Sequence, residues 1–177
     1  MERAYNFSAG PSMMPVEILQ QAKENLVSYP GAGRSVMEMS HRSVSFGKMI
    51  ADAEESLRRL MHISEDYAVL FLQGGASMQF SAVPMNLSRR GQTTNYAVTG
   101  QFAGKALAEG ERWGKAVAVT SSKADSFSHI PKITPELLSP DAAYLHITGN
   151  NTIFGTCYHT LPQTGSIPLV ADWSSAI

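Results

Sequence analysis

Tyr67-Ala68-Val69-Leu70-Phe71-Leu72-Gln73-Gly74-Gly75-Ala76-Ser77 is the stretch on which the reading of this chain turns. Its first six residues form a short, continuous apolar run, the pattern of a strand buried on both faces of a sheet. Two glycines then allow a sharp turn, and the small residues Ala76 and Ser77 let a ligand approach the backbone amides. A helix is predicted from about Ser77. A helix start offers unpaired N–H groups and the positive end of a dipole, which suits a phosphate. The segment lacks the lysine of a P-loop and the glycine spacing of a dinucleotide fingerprint. Taken alone it reads first as a plain tight turn.

Downstream, Asn95–Thr99, Ala116–Thr120, Ala143–Ile147 and Pro168–Ala171 read as further strands, the last ending at Asp172. Phe102–Trp113 reads as a helix and Pro135–Leu138 as a helical turn, while Pro84 is placed to kink or end the helix begun near Ser77. Upstream, Asn6–Pro11 is an irregular arm. Pro15 stands where a helix begins, and Val16–Ser28 follows with Ile18, Leu19, Ala22 and Leu26 on one face, ended by Pro30-Gly31-Ala32-Gly33. Ser45 is the predicted N-cap of a second helix running to about Met61, with Phe46, Met49, Ile50, Ala53, Leu57 and Leu60 as its packing face. Strands separated by helix-length segments define an α/β fold: a mostly parallel sheet with flanking helices. Residues 1–14 are read as an arm and 15–177 as part of one domain.

The 177 residues are 44% hydrophobic and 16% charged, with a net charge of −1. That balance belongs to a soluble globular domain and gives no basic field for nucleic acid or an anionic membrane. No apolar run approaches the roughly 20 residues of a membrane-spanning helix, and no signal-peptide pattern opens the chain. Cys157 is the only cysteine, read as a small buried hydrophobe. A disulfide framework within the chain is excluded, and a reducing cytoplasmic location is expected.

In parallel α/β sheets, ligands bind at the carboxyl ends of the strands. That rule selects Gly74–Ser77, Gly100–Phe102, Thr148–Thr152 and Asp172–Ser175. Asp172 is either a solvated strand end or a carboxylate aimed into a cleft, able to hold a cationic ring nitrogen. Phe102 is a core residue or a stacking platform. Asn150-Asn151-Thr152 offers amides and a hydroxyl, as any polar turn does. His41 and Arg42, in Ser40-His41-Arg42-Ser43, form a solvated basic pair or a grip for an anionic group. His62, His129, His146 and His159 show no metal-ligand spacing and are read as structural.

The order of these motifs carries more than any one of them. Asn6-Phe7-Ser8-x-Gly10-Pro11, Ser40-His41-Arg42-Ser43, Gly74-Gly75-Ala76-Ser77-x-Gln79-Phe80, Asn150-Asn151-Thr152-Ile153-x-Gly155 and Asp172-x-Ser174-Ser175 together resemble the phosphoserine aminotransferase family, over essentially the whole chain. The resemblance implies the first part of the large domain of a pyridoxal-phosphate (PLP) transferase of the aspartate aminotransferase-like fold. It implies PLP as cofactor, with Ala76 and Ser77 at its phosphate, Phe102 stacked on its ring, Thr152 at the ring hydroxyl region and Asp172 paired with the ring nitrogen. Ser174 would orient Asp172 or the phosphate. His41 and Arg42 would contact the anionic substrate side chain across a homodimer interface, and Ser8 would lie near the substrate. The implied reaction exchanges an amino group between phosphoserine and 2-oxoglutarate, giving 3-phosphohydroxypyruvate and glutamate.

Two departures stand beside the resemblance. The family usually has Trp where Phe102 stands; Phe stacks but loses the indole N–H. The family's Schiff-base lysine lies beyond the Asp-x-Ser-Ser motif, and Lys23, Lys48, Lys105, Lys115, Lys123 and Lys132 all precede Asp172. The chain is therefore expected to be inactive alone, a truncated piece of the large domain. The alternatives are a sibling PLP transaminase of the serine–glyoxylate type and a non-catalytic, lysine-free remnant of the fold.

Overall fold

A computed structural model of the chain describes residues 3–8 and 10–176. The chain divides into two compact units, Met1–Phe71 and Leu72–Ile177.

The first unit is helical. Helix α1 (Val16–Val27) follows Pro15, whose φ of −56° is already close to helical. Ile18, Leu19 and Leu26 are 41–48% exposed, so the apolar face predicted for this helix is open rather than covered. Helix α2 (Val44–Met61) is capped by Ser43, whose Oγ accepts the Phe46 N–H at 3.3 Å. This corrects the expectation of Ser45: an N-cap must sit outside helical φ/ψ, and Ser43 is extended whereas Ser45 is already within the helix. Phe46, Met49, Ile50, Ala53 and Leu57 are half-buried, and Leu60 is exposed. Arg58 pairs with Glu54 at 2.8 Å and donates to the carbonyls of Ser64 and Tyr67, pinning the turn after α2.

The strand expected over Tyr67–Leu72 does not form. Leu70 and Leu72 are 72% and 64% exposed, and among the described residues no strand lies beside the segment. Apolarity marks a segment for burial, but a strand also needs a ladder partner for its backbone.

The second unit is α/β. In chain order it holds α3 (Gly75–Leu87), β1 (Thr93–Val98), α4 (Gln101–Trp113), β2 (Lys115–Ser121), β3 (Leu145–Thr148), a short antiparallel pair β4 (Asn150–Asn151) and β5 (Thr156–Cys157), and β6 (Leu169–Asp172). The main sheet has the order β2-β1-β3-β6 and is parallel throughout. β1 and β3, in the middle, are buried along their whole length, polar Asn95 and His146 included. Pro84 does not end α3: the helix runs three residues further, and the Pro84 carbonyl accepts both N–H and Oγ–H of Ser88.

Register sets the two faces. Tyr96 lies beside His146, and His146 beside Val170. This face packs on Phe80 of α3 and Ala106 of α4. Ala97, Leu145 and Ile147 point to the other face and pack on Ile133 and Leu138. Within the first cluster the hydroxyls of Tyr96 and Tyr144 meet at 2.6 Å, and burial pushes both phenol pKa values up. Tyr96→Phe leaves a sealed hydroxyl on Tyr144 unpaired, and should lower stability by about 1–3 kcal/mol. Tyr96→Phe with Tyr144→Phe should recover most of that loss, as read from urea midpoints. A double variant no more stable than the single one would show that the pair is not what the phenols contribute.

Candidate active site

The carboxyl ends of β3 and β6 and the starts of α3 and α4 surround a cavity of about 150 Å³. Ala76, Phe102, Thr152, Asp172 and Ser174 all line it, together with Thr148, Asn150 and Ser175. An adjoining cavity of about 420 Å³ shares Ala76, Asp172 and Ser174, and adds Gln79, Phe80, His146, Val170 and Trp173.

Asp172 is the last residue of β6, opposite Thr148. Its Oδ1 accepts the Ser174 N–H at 3.1 Å and the Ser174 Oγ–H at 2.6 Å. Ser174 thus holds the carboxylate through Oδ1, and Oδ2 has no protein donor among the described residues. Across the cavity, Thr152 Oγ1 donates to Ser175 Oγ at 2.7 Å, and Asn150 Nδ2 donates to the same oxygen at 2.8 Å. Buried Asn151 anchors this turn to the sheet, its Nδ2 donating to Thr99 Oγ1 and Thr156 Oγ1, both at 3.2 Å.

The start of α3 is uncapped. Its N-cap is Gly74, with no side chain to accept a bond, and the first helical bond runs from the Met78 N–H to the Gly74 carbonyl. The N–H groups of Gly75, Ala76 and Ser77 therefore have no protein partner among the described residues. Gly74 sits at φ +93°, and a Cβ there would run into the Met78 side chain. Only glycine suits the position. Ser77 is exposed in the first turn and does not line the cavity. Phe102 lines the cavity and also packs against the core, with Lys105 Nζ 5.2 Å from its ring centroid.

Three candidates belong to the first unit, whereas the cavity is lined by the second alone. Ser8 and its N–H bond to Asn6 Oδ1 lie in the exposed arm. His41 and Arg42 are exposed in a turn that Ser40 Oγ holds by accepting the Arg42 N–H.

Sequence reading selected the segment Asp172–Ser175 but gave Ser175 no role; it links Thr152 and Asn150, 23 and 25 residues away. It also placed His146 among the merely structural histidines, whereas His146 shares the larger cavity with Asp172. Burial pushes its pKa down to about 4, against the opposing pull of Asp172. Cys157 is half-buried rather than a sealed core residue, with Sγ 3.5 Å from His159 Nε2. Among the described residues no cluster of side chains could hold a metal ion, and no helix is long and apolar enough to cross a membrane.

The donor set suits PLP: one carboxylate oxygen left open, three unpaired amides at a helix start, and an aromatic ring beside them. The chain belongs to the class-V aminotransferase family, which matches residues 4–175. It is similar to proteins named phosphoserine aminotransferase: 49% identical to that of Bacillus thuringiensis subsp. konkukian, over all of this chain and 49% of that one. The Listeria monocytogenes protein is 51% identical over all of this chain and 48% of its own length. Among solved structures, the phosphoserine aminotransferase of Bacillus circulans subsp. alkalophilus superposes with a TM-score of 0.88 at 43% identity, covering 97% of this chain and 47% of that one. The PLP-bound enzyme of Trichomonas vaginalis gives 0.83 at 31% identity, covering 98% and 52%. The fold is that of these PLP-dependent enzymes, and the chain spans about half the length of the relatives it matches.

Proposed function

We propose that this chain forms the cofactor-holding part of a phosphoserine:2-oxoglutarate aminotransferase, converting 3-phosphohydroxypyruvate and glutamate to phosphoserine and 2-oxoglutarate. The observation that carries this reading is Asp172, fixed through Oδ1 by Ser174 and open at Oδ2, in one cavity with Ala76, Phe102 and Thr152. PLP bound there supplies an electron sink for negative charge at the substrate Cα. Asp172 Oδ2 would hold the ring nitrogen and keep it protonated. The amides of Gly75, Ala76 and Ser77 would hold the phosphate. Phe102 would stack on the ring, and Thr152, held by Ser175, would bond the ring hydroxyl region. Ser8, His41 and Arg42 serve the anionic substrate, His41 and Arg42 from a partner subunit of a homodimer. Residues 1–14 act as the arm and 15–177 as the first part of the large domain. A cytoplasmic location accords with the single half-buried cysteine.

None of the six lysines lines the cavity. The chain should therefore bind PLP without a covalent bond at its proper site. Equilibrium dialysis reads the binding, and borohydride reduction with peptide mapping reads the bond. The expected result is saturable binding that Asp172→Asn weakens, with no lysine modified in stoichiometric yield. A single cleft lysine labelled one-to-one, or no binding at all, would overturn the proposed site.

A further inference from the structure

His146 has no place in the site as so far drawn, yet it sits on the cleft floor. Side chains alternate along a strand, so His146 and Thr148 of β3 share a face with Val170 and Asp172 of β6. The imidazole stacks on Tyr96, centroids 5.4 Å apart and planes 29° from parallel, and takes the edge of Phe80 at 6.0 Å. Its residue is 4% exposed and its Nδ1 is sealed from solvent with no hydrogen-bond partner. With Nδ1 sealed, Nε2 is the ring nitrogen left to reach the cavity. The cavity of about 420 Å³ that His146 lines also receives Asp172.

We propose that His146 is a positioning residue for Asp172: a neutral imidazole whose ring N–H faces the carboxylate across the shared cavity and fixes the direction of its free oxygen. The proposal rests on the reading that Asp172 meets a cationic ring nitrogen. Neutrality is what makes the arrangement useful. A cationic histidine would compete with the ring nitrogen for the one carboxylate, whereas a neutral N–H orients that carboxylate and leaves its charge free. The surroundings keep it neutral. Burial holds its pKa near 4 even with Asp172 close by. From β1 it faces the Tyr96 phenol, which burial keeps protonated. From α3 the cavity is lined by uncharged Ala76, Gln79, Phe80 and Val83, so among the described residues Asp172 is the only charge in the lining. On α4, Glu109 is bonded to Ser81 and Arg112, and Lys105 lies over Phe102.

The pairing is read without cofactor. Imidazole 15N–1H spectra of the labelled chain, titrated with acid, should show His146 neutral at pH 7. In Asp172→Asn its midpoint should fall and its ring-nitrogen shifts should move, because the carboxylate that raises the midpoint is gone. Identical shifts and midpoints in the two proteins would overturn the proposal, since a merely packed histidine ignores that change. PLP binding gives the second readout. His146→Phe keeps the ring and loses the donor, and should weaken binding by roughly two- to fivefold, less than the loss of a direct hydrogen bond to a charged group. His146→Gln keeps a donor and should restore most of it. Equal binding by the Phe variant would also count against the proposal. If the unaltered chain binds no PLP while the spectra still couple His146 to Asp172, the cofactor reading fails and the pairing stands.

Discussion

Asp172→Asn, placed in a catalytically complete aminotransferase carrying this site, should lower kcat on the order of 10²–10³-fold, the loss typical of removing one preorganised electrostatic group. The argument begins with two oxygens. Oδ1 is occupied by Ser174, through the backbone at 3.1 Å and the hydroxyl at 2.6 Å. Oδ2 is left for a cation. Asparagine keeps the shape and can still accept from Ser174, but it cannot hold a pyridinium proton, so the electron sink weakens while the phosphate contacts at Gly75–Ser77 persist. Cofactor binding should therefore fall far less than turnover. Ser174→Ala leaves the charge and loosens its direction, so its kcat should lie between those of the parent and Asp172→Asn. Single-turnover rates and PLP affinity, measured on the same three proteins, check the ordering. Near-parental turnover in Asp172→Asn would remove the residue from its proposed role.

The second large effect concerns two glycines of one helix with opposite expected outcomes. A Cβ at Gly110 of α4 would collide with the Tyr96 ring, whereas a Cβ at Gly104 meets nothing within 4 Å. Tyr96 cannot yield. It is 1% exposed, bonded to Tyr144, and stacked on His146. Gly110→Ala should therefore destabilise by about 1–3 kcal/mol, the usual cost of overpacking a core. The better helix propensity of alanine offsets at most about 1 kcal/mol of that. Gly104→Ala has the propensity gain without the collision and should stabilise by up to about 1 kcal/mol. Denaturant midpoints of the two variants should shift in opposite directions. Shifts of the same sign would mean that α4 can move away from β1.

Much of this was legible in the residues because periodicity and punctuation are local. Asn95–Thr99 and Phe102–Trp113 as read differ by a residue or two from β1 and α4. Asp172, Thr152 and Phe102 could be selected because each ends or closely follows a strand whose pattern is local. What failed depended on partners. Tyr67–Leu72 has the composition of an inner strand, yet composition does not show what would lie alongside it. Ser43 and Ser45 are chemically identical caps, and only the backbone angles choose between them. A histidine inside Tyr144-Leu145-His146-Ile147 reads as core. That the same histidine shares a cavity with a carboxylate follows from the pairing of His146 with Val170, 24 residues along the chain.

The bare start of α3 also ties the stiffness of the unit to its occupancy. Gly74 leaves the helix without the oxygen that a serine or aspartate would present to its first amides. A phosphate seated there completes the helix as a cap from outside the chain. By linkage, a ligand at a hundred times its dissociation constant adds about 2.7 kcal/mol to folding. If the amides take a phosphate as proposed, inorganic phosphate in a buffer should compete for them, and the apparent affinity for cofactor and the melting temperature should both change with the buffer anion.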